Sequence, residues 1–234
     1  MLKNQMKFKK IIKLNHHIFL LFEHQGNEFL YKFNSNATEK RIYKKCQDKN
    51  IMPDFLIYCN SLFIKYEAQF ISLQEFLFYN RPIYCHETLV KNIIKNLHIL
   101  HDNEIAWVDI KPNNILIHEK NNQILFIDFN YSKLKTHRKS IGRTFPFVPP
   151  EYLHYKKKLD FNDLILGDIF VIGMIICILL NENRLLLYDG KYIENHYEQF
   201  LKNLDYYQMK LDKFFGQKIY MLEYDRFKRK LPHF

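Results

Sequence analysis

Three features of the sequence predict an α+β fold in which a small β-rich part with one helix precedes a larger, mainly helical part. Short runs of β-favouring residues occupy most of the stretch 9–66. Apolar residues then recur at helical spacing from Glu87 onwards. The apolar stretch 164–180 has the length and composition of a helix buried at the centre of a large domain.

The first strands of the β-rich part lie between Lys9 and Phe33. We predict three antiparallel strands there, separated by Asn15-His16-His17 and by His24-Gln25-Gly26-Asn27. The second of these separators is a hairpin turn signal, because it places glycine between two runs of β-favouring residues.

A polar helix is predicted next, from about Thr38 to Asp48. Two further strands, Phe55 to Cys59 and Leu62 to Tyr66, are expected around a turn at Asn60-Ser61. These elements complete the small part of the fold.

The second part begins with an amphipathic helix that starts near Glu87 and ends at His101-Asp102-Asn103. We then predict one hairpin, formed by Ile115 to Ile117 and Ile124 to Ile127, and helices over most of the remaining chain. The stretch 164–180 is shorter than the roughly 20 apolar residues that cross a bilayer. It also contains a carboxylate near its start, so a buried helix and no membrane contact are expected.

The composition predicts a globular protein of a reducing, intracellular compartment, either cytoplasmic or nuclear. The apolar run Ile18 to Phe22 is shorter than a signal-peptide core of about 7–15 residues. The four cysteines lie far apart and suggest neither a disulfide framework nor a zinc site. The formal charge of +10 accompanies no arginine-rich helix, so nucleic-acid binding is not expected, although a basic surface could help recruit acidic substrates.

Polar side chains bracket the predicted hairpin. Asp109, Lys111 and Asn114 precede its first strand, and Asp128 follows its second. Neighbouring antiparallel strands bring those ends together. Two carboxylates, an amide oxygen and an ammonium group in a small volume suit Mg²⁺ bridging phosphate oxygens, which leads to the hypothesis of a phosphoryl-transfer site.

At these residues the sequence resembles the eukaryotic-type protein kinase family, from about Lys9 to the C-terminus. Five ordered stretches match motifs of that family: the catalytic loop D-x-K-P-x-N-x-L at 109–116, the D-F of D-F-G at 128–129, P-P-E in place of A-P-E at 149–151, Asp168 with Gly173, and Asp225 with Arg229. The resemblance implies a two-lobed fold in a single domain over 1–234. Its N-lobe would cover about 1–68 and its C-lobe, shortened at the end, about 70–234.

The resemblance also implies a role for each bracketing residue in a serine/threonine kinase that uses ATP and Mg²⁺. Asp109 would accept or orient the proton of the substrate hydroxyl, and Lys111 would neutralise charge on the transferred group. Asn114 and Asp128 would hold Mg²⁺. Thr144 would contact the catalytic Asp and Lys. A protein substrate is implied, and a regulatory or docking partner is possible.

In the first lobe Lys32 is the candidate for binding the α- and β-phosphates of ATP. Glu39 either pairs with Lys32 or bonds back to the helix cap Asn36 in a capping box, and the sequence leaves both alternatives open. Glu67 and Gln69 would belong to the hinge whose backbone groups meet the adenine.

A second ion pair is implied between Glu151 and Arg229. It would fasten the substrate-facing loop to the lobe, and its role would be structural.

Several positions depart from the family pattern. The first turn, Asn15-His16-His17, contains no glycine. Trp107 stands where the family has a buried His, and Val108 replaces the arginine that reads an activating phosphate, so loop phosphorylation should not be needed. Asn130 replaces the glycine of D-F-G, which we interpret as tolerable because Asn accepts left-handed backbone.

These departures leave other functions open. A pseudokinase scaffold that binds nucleotide weakly or not at all is the main alternative. A small-molecule kinase of related fold is a second, although Lys111-Pro112 resembles the protein-kinase loop.

Overall fold

Five antiparallel strands in the order β1-β2-β3-β5-β4 form the N-terminal sheet. They are β1 (Lys7–Leu14), β2 (His17–His24), β3 (Asn27–Lys32), β4 (Phe55–Tyr58) and β5 (Ser61–Lys65). The computed structural model describes residues 6–14, 17–78, 86–135, 144–154, 159–180 and 193–232. All five predicted strands are therefore confirmed, whereas the tip of the first turn, Asn15 and His16, lies outside the described residues.

Helix α1 (Ala37–Lys45) connects β3 to β4. Asn36 caps it, because its side chain accepts a hydrogen bond from the Glu39 amide, and the helix buries its own side chains Ile42 and Tyr43. The helix ends at Lys45, three residues before the predicted Asp48, and the amide of the capping residue Cys46 still donates to the Ile42 carbonyl.

Two elements after β5 have no counterpart in the sequence prediction. Strand β6 (Phe70–Ser72) and helix α2 (Leu73–Phe78) follow the connecting residues 66–69. Their side chains show no clear period because β6 has only three residues and α2 six.

The C-terminal lobe contains a long helix, two small sheets and four further helices among the residues described. Its elements are α3 (His86–Asp102), β7 (Ile105–Ala106), β8 (Ile115–His118), β9 (Ile124–Phe126), β10 (Lys133–Leu134), α4 (Pro150–His154), α5 (Phe161–Leu179), α6 (Ile193–Lys202) and α7 (Leu204–Phe215). The predicted hairpin is confirmed as β8 and β9, and β6 joins it as a third strand. β7 pairs with β10, which the sequence did not predict because each strand has two residues.

Helix α5 is the central helix of the C-terminal lobe. Asp160 and Asp163 form a capping box at its start. By length and composition it could cross a membrane, with a mean hydropathy of 2.1, but 83% of that stretch is buried inside the protein. The predicted buried helix is confirmed, and its core side chains pack in one cluster with those of α1 and α3.

Candidate active site

The loop that carries Asp109 is held by a carboxylate of α5. Asp168 accepts hydrogen bonds from the backbone amides of Trp107, at 2.7 Å, and Val108, at 2.8 Å. Val108 has a φ of 72°, which is strained for a β-branched residue and persists only where the surroundings enforce it. Asp168 thus supplies the contacts that fix the backbone directly before Asp109. Sequence analysis placed Asp168 in a family motif but did not predict this function.

Both oxygens of the Asp109 carboxylate are engaged. Lys111 Nζ lies 2.9 Å from Oδ2, and Thr144 Oγ1 donates to Oδ1 at 2.6 Å. Lys111 Nζ also donates to Thr144 Oγ1 at 3.1 Å, which closes a triangle of three side chains. The structure therefore brings together the three residues that the sequence predicted as the catalytic Asp, the Lys and the Thr of the substrate-facing loop.

Asn114 connects this triangle to the end of the hairpin. Its side-chain nitrogen donates to the Asp109 carbonyl at 2.9 Å, and its own carbonyl accepts from the Ile127 amide at 3.0 Å. The first bond uses the amide nitrogen and leaves the amide oxygen as the atom that can bind a metal. The second places Asn114 next to Asp128, as the bracketing of the hairpin predicted.

Lys32 links the N-terminal sheet to this hairpin. Its Nζ lies 2.6 Å from Asp128 Oδ1 and 3.3 Å from Glu39 Oε1. Asn36 caps α1, but the Glu39 side chain is directed to Lys32 and to the Phe129 amide, which donates to Oε1 at 2.9 Å. Of the two alternatives for Glu39, the structure shows the ion pair, together with a one-way cap from Asn36.

Glu39 is a fully buried carboxylate. Loss of contact with water raises its pKa above the ordinary value, and the nearby Lys32 ammonium partly opposes this effect. The hydrogen bond from the Phe129 amide acts in the same direction as Lys32. Both donors therefore favour the charged form of Glu39.

A cluster of packed aromatic rings lies next to the site. Trp107 is fully buried; its ring stacks on that of Phe126, with 4.2 Å between the centroids, and is tilted against that of Phe129 at 5.8 Å. Tyr43 of α1 meets Phe129 edge-on at 5.7 Å and Phe55 of β4 at 5.2 Å. Trp107 is buried, as expected, and its ring packs among these aromatic side chains.

The predicted hinge lies between β5 and β6. The Glu67 carboxylate pairs with Lys65 at 2.9 Å and accepts from Gln69 at 3.0 Å. The carbonyls of Glu67 and Gln69 accept from the amides of Phe70 and Glu119. The position between the lobes agrees with a hinge, while adenine contact by Glu67 and Gln69 stays a prediction.

The interpretation of Asn130 is wrong in its physical reason. Asn130 is not among the residues with positive φ, whereas Asp128, two residues earlier, has a φ of 62°. The left-handed backbone of this turn therefore lies at Asp128, and nothing in the backbone at 130 requires glycine.

The structural ion pair of the C-terminal lobe is present as expected. The Arg229 guanidinium donates to both oxygens of Glu151, at 2.6 and 2.9 Å, and its side chain is fully buried. This bidentate geometry is the strong form of an arginine–carboxylate pair.

The donor set at the hairpin suits Mg²⁺ bound together with a phosphate ligand. Among the residues that the structure describes, no group of three or more His, Cys, Asp or Glu could hold a metal ion. Asn114 and Asp128 offer two hard oxygen donors, and Mg²⁺ commonly takes few protein ligands, with phosphates and water completing its shell. The residues present therefore fit that metal.

Comparisons with known proteins agree with this geometry. The sequence profile of the protein kinase domain matches residues 32–221. A provisionally named serine/threonine-protein kinase of Acanthamoeba polyphaga mimivirus is 31% identical over 112 residues, which cover 45% of this chain and 38% of that protein. The structure of the Cydia pomonella granulovirus kinase PK-1 matches with a TM-score of 0.66 at 16% identity, covering 95% of this chain and 90% of that one. The chain belongs to the protein kinase family and has the two-lobed fold of that family.

Proposed function

We propose that the protein transfers the γ-phosphoryl group of ATP to serine or threonine hydroxyls of protein substrates. This proposal rests on two ion pairs, Asp109 with Lys111 and Asp128 with Lys32. Both pairs lie at the open end of one hairpin, the first just before its first strand and the second just after its second strand. A general base and a phosphate-binding cation have to lie within one small volume for this reaction.

Asp109 is the residue that would accept the substrate proton. Its carboxylate is almost completely buried and is held by Lys111 and Thr144, so it is oriented before the substrate binds. A positioned carboxylate of this kind serves as a general base. Lys111 is hydrogen-bonded to both Asp109 and Thr144, and it carries the positive charge that would stabilise the transferred phosphoryl group.

The nucleotide side of the site is built by Lys32, Asn114 and Asp128. Mg²⁺ supplies positive charge that neutralises the phosphates when it is bound. Asn114 and Asp128 would hold it with their oxygens, and Lys32 would bind the α- and β-phosphates. Glu39 would keep Lys32 in place, since it forms the second ion pair of that ammonium group.

Serine/threonine preference is supported by Lys111 in the loop and by the name of the mimivirus relative. The test is phosphorylation of a degenerate peptide library that contains serine, threonine and tyrosine, followed by mass spectrometry. We expect phosphoserine and phosphothreonine. Phosphotyrosine alone would contradict the specificity.

The pseudokinase alternative is tested in the same preparation. Thermal melting with and without ATP and MgCl₂ measures nucleotide binding independently of transfer. We expect both a raised melting temperature and phosphopeptide formation. A raised melting temperature without any product, across the library and a panel of purified acidic proteins, would favour the scaffold.

A further inference from the structure

Asn130 forms three hydrogen bonds with residues around the start of α1. Its carbonyl accepts a hydrogen bond from Asn36 Nδ2 at 2.7 Å. When the side-chain amide of Asn130 is oriented with its nitrogen toward the neighbouring acceptors, that nitrogen donates to the Asn34 carbonyl at 3.2 Å and to Glu39 Oε2 at 3.0 Å. The opposite amide orientation would set the side-chain oxygen against these two oxygens, so the hydrogen-bond network selects the first.

These bonds complete the environment of a buried carboxylate. Glu39 Oε1 already meets the Phe129 amide and the Lys32 ammonium. Asn130 supplies a donor to the other oxygen, Oε2. A buried carboxylate is costly unless its oxygens are hydrogen-bonded, so the Asn130 amide favours the charged form that Lys32 needs as a partner.

Glycine at this position would offer the carbonyl but no side chain. The Asn130 carbonyl bond to Asn36 would survive such a change, whereas both side-chain bonds would be lost. The backbone at 130 does not require glycine, because its φ is not positive. The residue type at 130 therefore adds contacts to α1 without straining the turn.

We infer that Asn130 is a positioning residue, which acts through Glu39 to hold Lys32 toward the nucleotide site. Lys32 is shared between Glu39 and Asp128. When Glu39 is held less firmly, Lys32 shifts its pairing toward Asp128 and competes with the metal for that carboxylate. This inference rests on the proposed function of the site, but part of its test does not depend on phosphoryl transfer.

The experiment compares Asn130→Gly and Asn130→Asp with the unaltered protein. The change to glycine should raise the Kd for ATP with MgCl₂, measured by calorimetry, roughly tenfold, the loss expected for one hydrogen bond to a charged group. Asn130→Asp preserves the shape but sets a second carboxylate against Glu39, so it should raise that Kd further than glycine does. A residue that merely filled space would give the opposite order.

Trp107 gives a second readout because it is the only tryptophan and lies 5.8 Å from Phe129, whose amide bonds to Glu39. Both variants should shift its emission spectrum while circular dichroism shows an intact fold. Asn50→Gly serves as the control, because Asn50 is exposed and has a φ of 55° that glycine adopts readily. It should change neither quantity.

The outcomes separate this inference from the proposed function. Absence of transfer in the unaltered protein would defeat the proposed function, while the Kd and the emission spectrum would still report on Asn130. Unchanged Kd and unchanged emission in both Asn130 variants would overturn the inference, even in a fully active kinase.

Discussion

Lys32 and Asp128 stand 96 positions apart in the chain and meet with 2.6 Å between Nζ and Oδ1. The pair joins the last residue of β3 to the turn that follows β9. Lys32 also lies within 3.3 Å of Glu39 on α1, so one ammonium group connects a strand, a helix and the hairpin turn. The proposed nucleotide-binding end of the site depends on this arrangement.

Lys32→Met should lower the affinity for ATP with MgCl₂ at least tenfold, because it removes the cation that faces the phosphates. It should also lower the melting temperature, since Glu39 loses its ion-pair partner while it stays buried. Calorimetry and thermal melting measure the two effects. In the double variant Lys32→Met/Glu39→Gln most of the decrease in melting temperature should be reversed, whereas the affinity for ATP should stay low. Lys10→Met, on the exposed face of β1, is the control, and equal affinity in it and Lys32→Met would contradict the assignment.

Glu39→Gln should change the pH dependence of stability in a direction set by the raised pKa of Glu39. A raised pKa means that the folded state holds the proton more tightly than the unfolded state, in which the value is about 4.5. The unaltered protein should therefore lose stability relative to Glu39→Gln as the pH rises from that value through the folded pKa. Urea unfolding between pH 5 and pH 8 measures the difference. A difference in stability that does not change with pH would contradict this prediction.

Arg229→Met should reduce the free energy of unfolding by about 3–5 kcal/mol, because it leaves the Glu151 carboxylate buried without its partner. In the double variant Glu151→Gln/Arg229→Met the loss should be smaller than the sum of the two single losses, since no charge is then stranded. The exposed pair Glu104 and Lys135 is a matched control, and its removal should change the free energy of unfolding far less. Additive losses at Glu151 and Arg229 would contradict a coupled pair.

Gly173→Ala should destabilise the protein by about 1–2 kcal/mol, even though alanine favours helices. A Cβ at this position in α5 would lie 2.9 Å from Leu222 Cδ2 and 3.1 Å from Met221 Cβ. Urea unfolding measures the loss, and Gly173→Ala/Leu222→Ala should lose less than the sum of the two changes because the second makes room for the methyl group. A stabilised single variant would show that α5 and the segment at 221–222 can separate without cost.

The catalytic loop and its hairpin could be predicted from sequence because their chemistry is local. Asp109, Lys111 and Asn114 lie within six residues of each other, and the two short apolar runs of β8 and β9 around a polar turn predict the pairing that brings Asp128 close. Helix α3 was also predictable because its apolar residues recur at helical spacing over several turns, and α5 because it is a long and nearly continuous apolar stretch.

The contacts that hold the loop could not be predicted in the same way. Asp168 is bonded to the amides of Trp107 and Val108, about 60 positions away, and a sequence pattern does not show which backbone groups a buried carboxylate will meet. The same holds for Asn130, whose side chain meets α1 through tertiary packing. Short elements such as β6 were missed because three residues are too few to define a period.

The most direct test of the site measures the transfer of labelled phosphate from ATP to a serine peptide. It compares the unaltered protein with the variants Asp109→Asn and Asp128→Asn. Both variants should lose transfer, by about 10²–10⁴-fold for the variant that lacks the general base, and their circular dichroism spectra should match that of the unaltered protein. The control variant Asp48→Asn, at an exposed position, should transfer phosphate at the unaltered rate. Undiminished transfer by either site variant would contradict the assignment of the site.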